Sequence, residues 1–378
     1  MNEDIKYMKM ALELAKQGKG YTSPNPAVGC VLVKDGAVIS TGYHQKAGTP
    51  HAEVWALDAA GERAVGATMY VTLEPCAHYG RTPPCAERIV RSGVRRVVAA
   101  MMDPNPLVSG RGLELLRQSG IDTICGVLEE EAIRLNEDFL KWIQVQTPFI
   151  TLKMAVSADG KTAAASGESQ WITGEEARKY GHYLRSIHDG IVTGVNSVIT
   201  DDPQLTCRIL REGREARQPV RIILDSRGRI PLTARLLHDN AAPVIIIGTS
   251  AYPEEKKDAL EKLGAKVLIT KANDAGQVSV TEAVHILGTL GLHSLLIEGG
   301  AAIHGSFIQH RLFDKIELFM GNILLGGKNA HPAIGETGIF HLSEAPELIY
   351  EIPELLGKDV HIAAYYAGRK GCLCSQES

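Results

Sequence analysis

The chain has 378 residues, 44% hydrophobic and 22% charged, and its 40 basic residues against 44 acidic residues give a net charge of −4. This length exceeds one ordinary hydrophobic core and predicts two or three domains, while the weak negative charge offers no electrostatic basis for a nucleic-acid or membrane-surface partner. The sequence has no apolar run of the ~18 residues that a membrane span requires, and its odd number of seven cysteines does not describe a disulfide scaffold.

The N-terminal residues predict an amphipathic helix and not a secretory signal. Two acidic residues precede apolar side chains at helical spacing, namely Ile5, Met8, Leu12 and Ala15. The expected location is therefore the cytoplasm.

Residues 2 to about 140 alternate between helical and strand patterns, which indicates an α/β domain with a mixed sheet between helices. Pro148 ends this region, and residues 140–146 before it are predicted to form a connector. The predicted strands cover residues 27–33, 37–40, 68–72, 96–101 and 121–125, and the further helices cover 51–63, 85–91, 113–119 and a segment from residue 129.

A second α/β region begins near Phe149. We predict a first domain over residues 1–146, a second over 147–367, and a disordered polar tail over 368–378 that contains Cys372 and Cys374. The predicted strands of the second domain cover 149–154, 190–192, 220–224, 244–247, 266–269, 294–297, 315–320 and 360–365, and its helices cover 175–187, 254–263, 281–290 and 302–310.

Three short segments of the first domain contain residue types that bind zinc. His51 opens a helix, Cys76 follows a strand, and Cys85 begins the next helix. A catalytic zinc site uses three protein ligands and leaves its fourth position to water. Glu53 lies two residues beyond His51, is not needed as a ligand, and is therefore free to transfer protons. Taken singly, His-Ala-Glu is typical of a helix cap, and two separated cysteines are typical of core residues.

The order of these residues resembles the His-x-Glu and Pro-Cys-x-x-Cys pattern of zinc nucleobase deaminases. The chain departs from that pattern because eight residues, Ala-His-Tyr-Gly-Arg-Thr-Pro-Pro, separate Cys76 from Cys85. This longer form resembles the deaminase domain of riboflavin biosynthesis, which implies a cytidine-deaminase-like α/β/α fold and a contact of Asn25 with the pyrimidine. A second Asn-Pro segment, at residues 103–108, fits the same resemblance, although turn chemistry alone also explains such pairs.

The second domain lacks the Gly-x-Gly-x-x-Gly fingerprint that follows a strand in dinucleotide-binding folds. Its distinctive segments resemble the riboflavin-pathway reductase, and the resemblance extends over nearly all of residues 148–367. It implies an α/β domain with the dihydrofolate-reductase-like fold, which binds NADPH. The segments that carry the resemblance are residues 153–161, 169–173, 201–208, 224–226 and 298–300.

The resemblance also implies which residues of this domain bind ligands. Arg185 and Arg208 are candidates for the substrate's phosphate, because a guanidinium fork suits phosphate oxygens; the alternative is that they are solvated surface arginines. Gly299 and Gly300, between a strand and a helix, let backbone amides approach phosphate; the alternative is an ordinary helix cap. Asp201 is suited to polarise the sugar carbonyl or belongs to a simple turn, and Arg227 is a helper of Ser226 at the cofactor's 2′-phosphate. The implied NADPH contacts are Ala155, Trp171, Ser197, Asp201, Ser226, Gly300, Ala301, Ala302, Ile303, His304, Gly305 and Ser306. The implied substrate contacts of this domain are Lys153, Ser169, Arg185, Leu205, Arg208 and Glu298, in addition to Asn25 of the first domain.

These features predict a bifunctional enzyme of riboflavin biosynthesis. The first domain is expected to deaminate a 2,5-diamino-6-ribosylamino-pyrimidinone 5′-phosphate with Zn²⁺, and the second to reduce the ribosyl side chain to ribityl with hydride from NADPH. The expected partner is this small pyrimidine ribonucleotide, without nucleic acid or membrane, and assembly into a homo-oligomer is left open. The alternative is a zinc nucleoside or tRNA deaminase fused to a nucleotide-binding sensor domain that does not turn over.

Overall fold

The computed structural model describes residues 2–79, 83–105, 109–211 and 213–369. Contacts within the chain form two compact units that divide between Gln146 and Thr147. The predicted disordered tail, including Cys372 and Cys374, lies outside the described residues except for its first two positions. No helix within the described ranges is long and apolar enough to cross a membrane.

The described residues of the first unit form a five-stranded mixed sheet in the order β2-β1-β3-β4-β5. Strand β1 is antiparallel to both β2 and β3, whereas β3, β4 and β5 are parallel. This confirms the predicted mixed sheet. The elements are α1 (Asn2–Gly18), β1 (Gly29–Lys34), β2 (Ala37–Tyr43), α2 (Ala52–Ala60), β3 (Thr68–Val71), α3 (Cys85–Arg91), β4 (Arg96–Ala99), α4 (Arg111–Gln118), β5 (Asp122–Cys125), α5 (Glu129–Leu135) and α6 (Glu137–Val145).

Helix α1 packs closely on the sheet through the apolar face that its sequence predicts. Met8, Leu12 and Ala15 are buried in this unit. The close approach requires a glycine at position 29, because a Cβ atom there would lie 1.9 Å from the carbonyl oxygen of Ala11. The packing therefore fixes the start of β1, next to the turn that carries Asn25.

The predicted connector at residues 140–146 is wrong, because most of this segment belongs to α6. Leu140 is fully buried and Phe139 packs against the same core, so the apolar residues before Pro148 serve a helical face and not a linker. The helix ends at Gln146, whose φ of 55° is left-handed.

The described residues of the second unit form a ten-stranded sheet whose main path is β13-β12-β11-β8-β14-β6-β15-β19-β17, with β18 paired to β19. The strands from β13 to β15 along this path are parallel, and β19 is antiparallel to β15. The strands are β6 (Phe149–Val156), β7 (Lys161–Ala163), β8 (Gly190–Gly194), β9 (Leu210–Arg211), β10 (Arg214–Glu215), β11 (Val220–Leu224), β12 (Val244–Thr249), β13 (Lys266–Thr270), β14 (Ser294–Ile297), β15 (Lys315–Met320), β16 (His331–Pro332), β17 (Leu348–Tyr350), β18 (Glu354–Leu356) and β19 (Asp359–Tyr366). The helices are α7 (Glu175–Ile187), α8 (Val195–Asp201), α9 (Glu254–Lys262), α10 (Val280–Thr289) and α11 (Ala301–Gln309).

All eight predicted strands and all four predicted helices of this unit are present, and the α/β class is confirmed. Helix α8 was not predicted, because seven residues are too few for apolar periodicity to stand out. The parallel strands bring their carboxyl ends to one edge of the sheet, where open α/β sheets bind ligands. Most of the predicted reductase residues lie at or near this edge.

Candidate active sites

The first unit gathers four predicted residues around one point. His51 directly precedes α2, Glu53 lies in the first turn of α2, Cys76 follows β3, and Cys85 is the first residue of α3. The Nδ1 atom of His51 lies 3.2 Å from the sulfur of Cys85 and 3.8 Å from that of Cys76. The three possible ligand atoms all lie within 4.8 Å of one another. Nδ1 is thus the ring nitrogen that faces the two sulfurs.

The spacing of these three atoms fits a tetrahedral zinc ion. Zn–S bonds of about 2.3 Å and Zn–N bonds of about 2.0 Å give ligand–ligand edges of about 3.5–3.8 Å. The nitrogen–sulfur distances of 3.2 and 3.8 Å fall close to these values. The backbone N–H of Cys85 also donates to the Cys76 sulfur at 3.3 Å, an outer contact of the kind that orients metal ligands.

The pKa values of the two cysteine thiols are shifted in opposite directions. Hydrogen bonding from Cys85, opposed by burial and supported by His51, lowers the pKa of Cys76 to about 4. The same hydrogen bond and burial raise the pKa of Cys85. Because a metal requires both sulfurs as thiolates, binding would release the thiol proton that remains in the metal-free site.

Glu53 has the environment of a proton-transfer group. Its side chain is buried, and this burial raises the pKa of the carboxyl group. A raised pKa brings a carboxylate closer to the neutral pH at which a general acid–base group works best. The Cys85 side chain hydrogen bonds to Glu53, so the carboxyl lies beside the ligand set without being part of it.

Asn25 lies on an exposed turn whose position is fixed by a distant residue. Its N–H donates to the carbonyl of Thr22 at 2.8 Å. Two residues later, the buried side chain of Asn136 accepts the N–H of Ala27 at 2.8 Å and donates to the Ala27 carbonyl at 3.0 Å. Sequence reasoning missed Asn136 because it lies 109 residues from its partner and belongs to no recognisable motif.

Glu74 is a second residue that sequence reasoning did not assign. Its buried carboxylate accepts four backbone N–H groups between 2.9 and 3.3 Å, from Asp103, Gly110, Gly112 and Leu113. It therefore connects the residues between β3 and Cys76 to the segment before α4 and to the first turn of α4. Its position in the Glu-Pro-Cys sequence was the available signal. Part of the predicted Asn-Pro segment, residues 106–108, lies outside the described residues.

His44 lies near the same site. It is buried, its ring centre lies 5.6 Å from that of His51, and its Nδ1 lies 3.4 Å from the Pro26 carbonyl. Burial, with the nearby His51, lowers the pKa of His44. Within the described residues its Nε2 has no hydrogen-bond partner. The sequence contained no signal for this residue.

The second unit concentrates charge where β6 and α7 meet the end of β14. The carboxylate of Glu298 accepts two hydrogen bonds from Arg185, at 2.7 and 2.9 Å, and lies 3.6 Å from the ammonium of Lys153. Only 11% of the Glu298 side-chain surface is exposed. Burial acts to raise the pKa of Glu298, but the charges of Arg185 and Lys153 outweigh it, so this pKa lies well below its usual range. The structure thus brings together three of the predicted substrate residues.

Two further predicted substrate residues lie in the segment that runs beside this cluster. Leu205 is buried, and Arg208 is exposed. Arg185 donates to the carbonyl of Thr206 at 3.0 Å, so the segment is joined to the charge cluster. His182, which sequence reasoning missed, accepts the N–H of Arg208 through Nδ1 at 3.4 Å. Its spacing of three residues before Arg185 on one helix was a usable signal.

The predicted cofactor residues lie mainly at the carboxyl ends of the parallel strands. Ala155 is near the end of β6, Ser197 follows β8, Ser226 follows β11 and Gly300 directly precedes α11. A Cβ atom on Gly300 would lie 3.7 Å from the Ser197 hydroxyl, so these two positions are neighbours. The Ser226 hydroxyl accepts the N–H of Val278 at 3.0 Å.

The predicted residues of α11 differ in their surroundings. His304 is buried, with Nδ1 at 3.0 Å from the Ala333 carbonyl and Nε2 at 3.4 Å from that of Ile297. Gly305 is packed so closely that a Cβ atom there would lie 2.5 Å from the Glu336 carbonyl oxygen. Ile303 packs against the core, Ala301 and Ser306 are half-buried, and Ala302 is exposed.

Trp171 is 67% exposed, and the guanidinium of Arg178 lies 4.4 Å from its ring centre. It lines a cavity of about 520 Å³ beside the start of α7. Ser169, two residues earlier, is half-buried. Asp201 is the exposed last residue of α8, so the predicted turn there is the end of a helix.

Comparison with known proteins matches each unit separately. Residues 1–101 match the family described as "Cytidine and deoxycytidylate deaminase zinc-binding region", and residues 148–361 match "RibD C-terminal domain". The chain is 47% identical to the riboflavin biosynthesis protein RibD of Aquifex aeolicus, over 95% of this chain and 97% of that protein. It is 40% identical to the protein of the same name from Escherichia coli, over 95% and 98%.

Solved structures also match nearly the whole of this chain. RibD of Acinetobacter baumannii, in its form 1, is 41% identical, with a TM-score of 0.85 over 97% of this chain and 99% of that one. A diaminohydroxyphosphoribosylaminopyrimidine deaminase/5-amino-6-(5-phosphoribosylamino)uracil reductase of Thermotoga maritima is 35% identical, with a TM-score of 0.83 over 96% and 98%. Each relative therefore carries the two units in the same order as this chain.

Proposed function

This chain belongs to the RibD family of riboflavin biosynthesis proteins, and from that membership and the two sites we infer that it is a bifunctional deaminase and reductase. We assign deamination to residues 1–146 and reduction to residues 147–367. The alternative, a nucleoside or tRNA deaminase fused to a sensor, is not favoured, because the relatives match the whole chain and not the first unit alone.

The observation that carries the deaminase assignment is the cluster of His51, Cys76 and Cys85 with a buried carboxyl group beside it. These three residues would hold a zinc ion, which when bound would lower the pKa of its water molecule to about 7. Glu53 is placed to take a proton from that water. It would pass this proton to the ring as the oxygen bonds to the amine-bearing carbon, and would then take the remaining hydroxyl proton and pass it to the amine, which leaves as ammonia. Asn25, on the turn held by Asn136, is assigned to the pyrimidine.

The reductase assignment uses the charges beside α7. Lys153, Arg185 and Arg208 are three cations and Glu298 is one anion, so this group carries a local excess of two positive charges. Such an excess suits the phosphate dianion of the ribosyl side chain. We assign Ser169 and Leu205 to the same substrate.

NADPH is assigned to the carboxyl edge of the parallel strands, over Ala155, Ser197, Ser226 and the start of α11. The start of α11 offers backbone N–H groups to phosphate. Trp171 and Asp201 complete the assignment. The protein orients the nicotinamide against the sugar, and the hydride comes from the cofactor.

The decisive experiment separates metal binding from proton transfer. Cys76→Ser is expected to lose zinc and ammonia release together, because three ligands are the minimum for this site. Glu53→Gln is expected to retain zinc while ammonia release falls by ~100-fold or more. Cys125→Ser, at a partly buried cysteine of β5 outside the cluster, is the matched control and keeps both.

Reduction is followed in the same variants as loss of NADPH absorbance with the deaminated substrate. Glu53→Gln is expected to leave this rate unchanged. Loss of both activities in a folded Glu53→Gln protein would contradict the assignment of two separate sites, and loss of its zinc would contradict the role of Glu53 as a non-ligand.

A further inference from the structure

Three hydrogen bonds join α7 to the segment that ends at Arg208. The Nδ1 atom of His182 accepts the backbone N–H of Arg208 at 3.4 Å. The backbone carbonyl of His182 accepts the thiol of Cys207 at 3.2 Å. One helical turn later, Arg185 donates to the carbonyl of Thr206 at 3.0 Å. Two of these three bonds depend on His182, and one of the two depends on its imidazole ring.

The imidazole of His182 accepts this bond as a neutral ring. Burial, together with the charges of Arg185 and Arg208, lowers the pKa of His182 to about 4. The charge of Glu298 and a hydrogen bond to the Thr206 backbone act in the opposite direction but do not prevail. At neutral pH, Nδ1 therefore offers a lone pair to the Arg208 N–H, and the ring proton resides on Nε2.

The exposed side chain of Arg208 is held less firmly than that of Arg185. Its guanidinium donates to Gln204 across 3.4 Å, at an exposed position. Arg185, by contrast, is fixed by two short bonds to Glu298. His182 contacts the backbone at residue 208, from which this side chain extends.

We propose that His182 is a positioning residue for reduction, which fixes the main chain of Arg208 and so directs its guanidinium to the substrate phosphate. The proposal rests on the assignment of Arg208 to that phosphate made above. In this role His182 acts through Arg208 and not by direct contact with substrate or cofactor. Its effect should appear in the binding of phosphorylated substrate, with little effect on hydride transfer itself.

The test compares two substitutions of similar size. His182→Leu removes the acceptor, whereas His182→Asn offers a carbonyl oxygen near the position of Nδ1. Loss of one neutral hydrogen bond is worth roughly a 2- to 10-fold change in an equilibrium constant. We expect His182→Leu to raise the KM of the deaminated 5′-phosphate substrate by about this factor with kcat nearly unchanged. His182→Asn should restore most of the wild-type KM.

Two controls isolate the phosphate. The nucleoside form of the substrate, which lacks the phosphate, should show the same KM with His182→Leu as with the wild-type protein. His285→Leu changes an exposed histidine of α10 and should alter neither KM.

The outcomes separate this proposal from the function on which it rests. If Arg208→Gln raises the KM of the phosphorylated substrate and His182→Leu does not, the positioning role is wrong while the phosphate assignment stands. If Arg208→Gln has no effect, the phosphate assignment itself is wrong. An equal rise in KM with nucleoside and phosphorylated substrate, or a failure of His182→Asn to restore KM in a folded protein, also overturns the positioning role.

Discussion

Replacing Glu298 with glutamine tests the charge cluster of the reductase unit. The carboxylate holds Arg185 through bonds of 2.7 and 2.9 Å and lies 3.6 Å from the Lys153 ammonium. Glutamine has nearly the same shape but only one acceptor oxygen and no charge. The change therefore leaves two cations without their counter-charge at a position where only 11% of the side chain is exposed.

The expected loss of stability follows from these contacts. One of the two charge-assisted bonds to Arg185 disappears, which costs about 1.5–3 kcal/mol. Complete removal of one partner from a buried ion pair costs about 3–5 kcal/mol, which sets the upper limit. We therefore expect a decrease of roughly 2–4 kcal/mol in the free energy of unfolding of the second unit. For a domain of 150–250 residues this corresponds to a decrease in Tm of roughly 4–16 °C.

The assay is chemical denaturation at pH 7, monitored with a probe that reports on the second unit. The matched control is Glu261→Gln, which makes the same substitution at an exposed residue of α9. Ammonia release serves as the internal control, because the deaminase residues lie in the other unit. A loss below about 0.5 kcal/mol, within the range of ordinary surface substitutions, would refute the reasoning.

The difference in free energy of unfolding between the wild-type protein and Glu298→Gln should depend on pH in a defined direction. The pKa of Glu298 lies below its usual value of 4.5, so its stabilising effect is fully present above that value and is lost as the pH falls through the folded-state pKa. The difference in free energy of unfolding between wild type and Glu298→Gln should therefore be constant from pH 7 to about pH 5 and should decrease below about pH 4. A gap that widens on acidification would show that another group is responsible.

Two further predictions concern the cofactor and the deaminase turn. Ser226→Ala combined with Arg227→Ala should raise the KM for NADPH by at least about 10-fold and leave the weak NADH activity unchanged, because charge-assisted bonds to the 2′-phosphate are lost. Steady-state kinetics with both cofactors measure this effect. An equal loss of activity with both cofactors would mean that the loop does not recognise that phosphate. Asn136→Leu leaves the buried N–H and carbonyl of Ala27 without these hydrogen bonds, and it should lower the free energy of unfolding of the first unit by about 2–4 kcal/mol and weaken pyrimidine binding. Urea denaturation measures the first effect and the KM for deamination measures the second. An unchanged KM would show that Asn136 does not control the position of Asn25.

The residue order and periodicity of this chain were sufficient to predict its two α/β units and the residues around the first site. His51, Cys76 and Cys85 lie at the ends of adjacent local elements, and short-range patterns locate such ends. The error at α6 has the same origin. The short apolar segment before Pro148 has no local sequence feature that distinguishes a buried helix from a connector. The structure shows that it is a helix with Leu140 fully buried.

The tertiary structure alone decided which distant polar groups pair. Asn136 and Ala27 lie 109 residues apart, Arg185 and Glu298 lie 113 apart, and His182 contacts Arg208 across 26 residues. Periodicity reports which face of an element is apolar, over a turn or two of the chain, and contains no information about which other element will cover that face. A buried hydrogen bond requires both partners at a separation of about 3 Å. For Arg185 and Glu298, that condition is met where β14 pairs with β6 and α7 packs against the sheet.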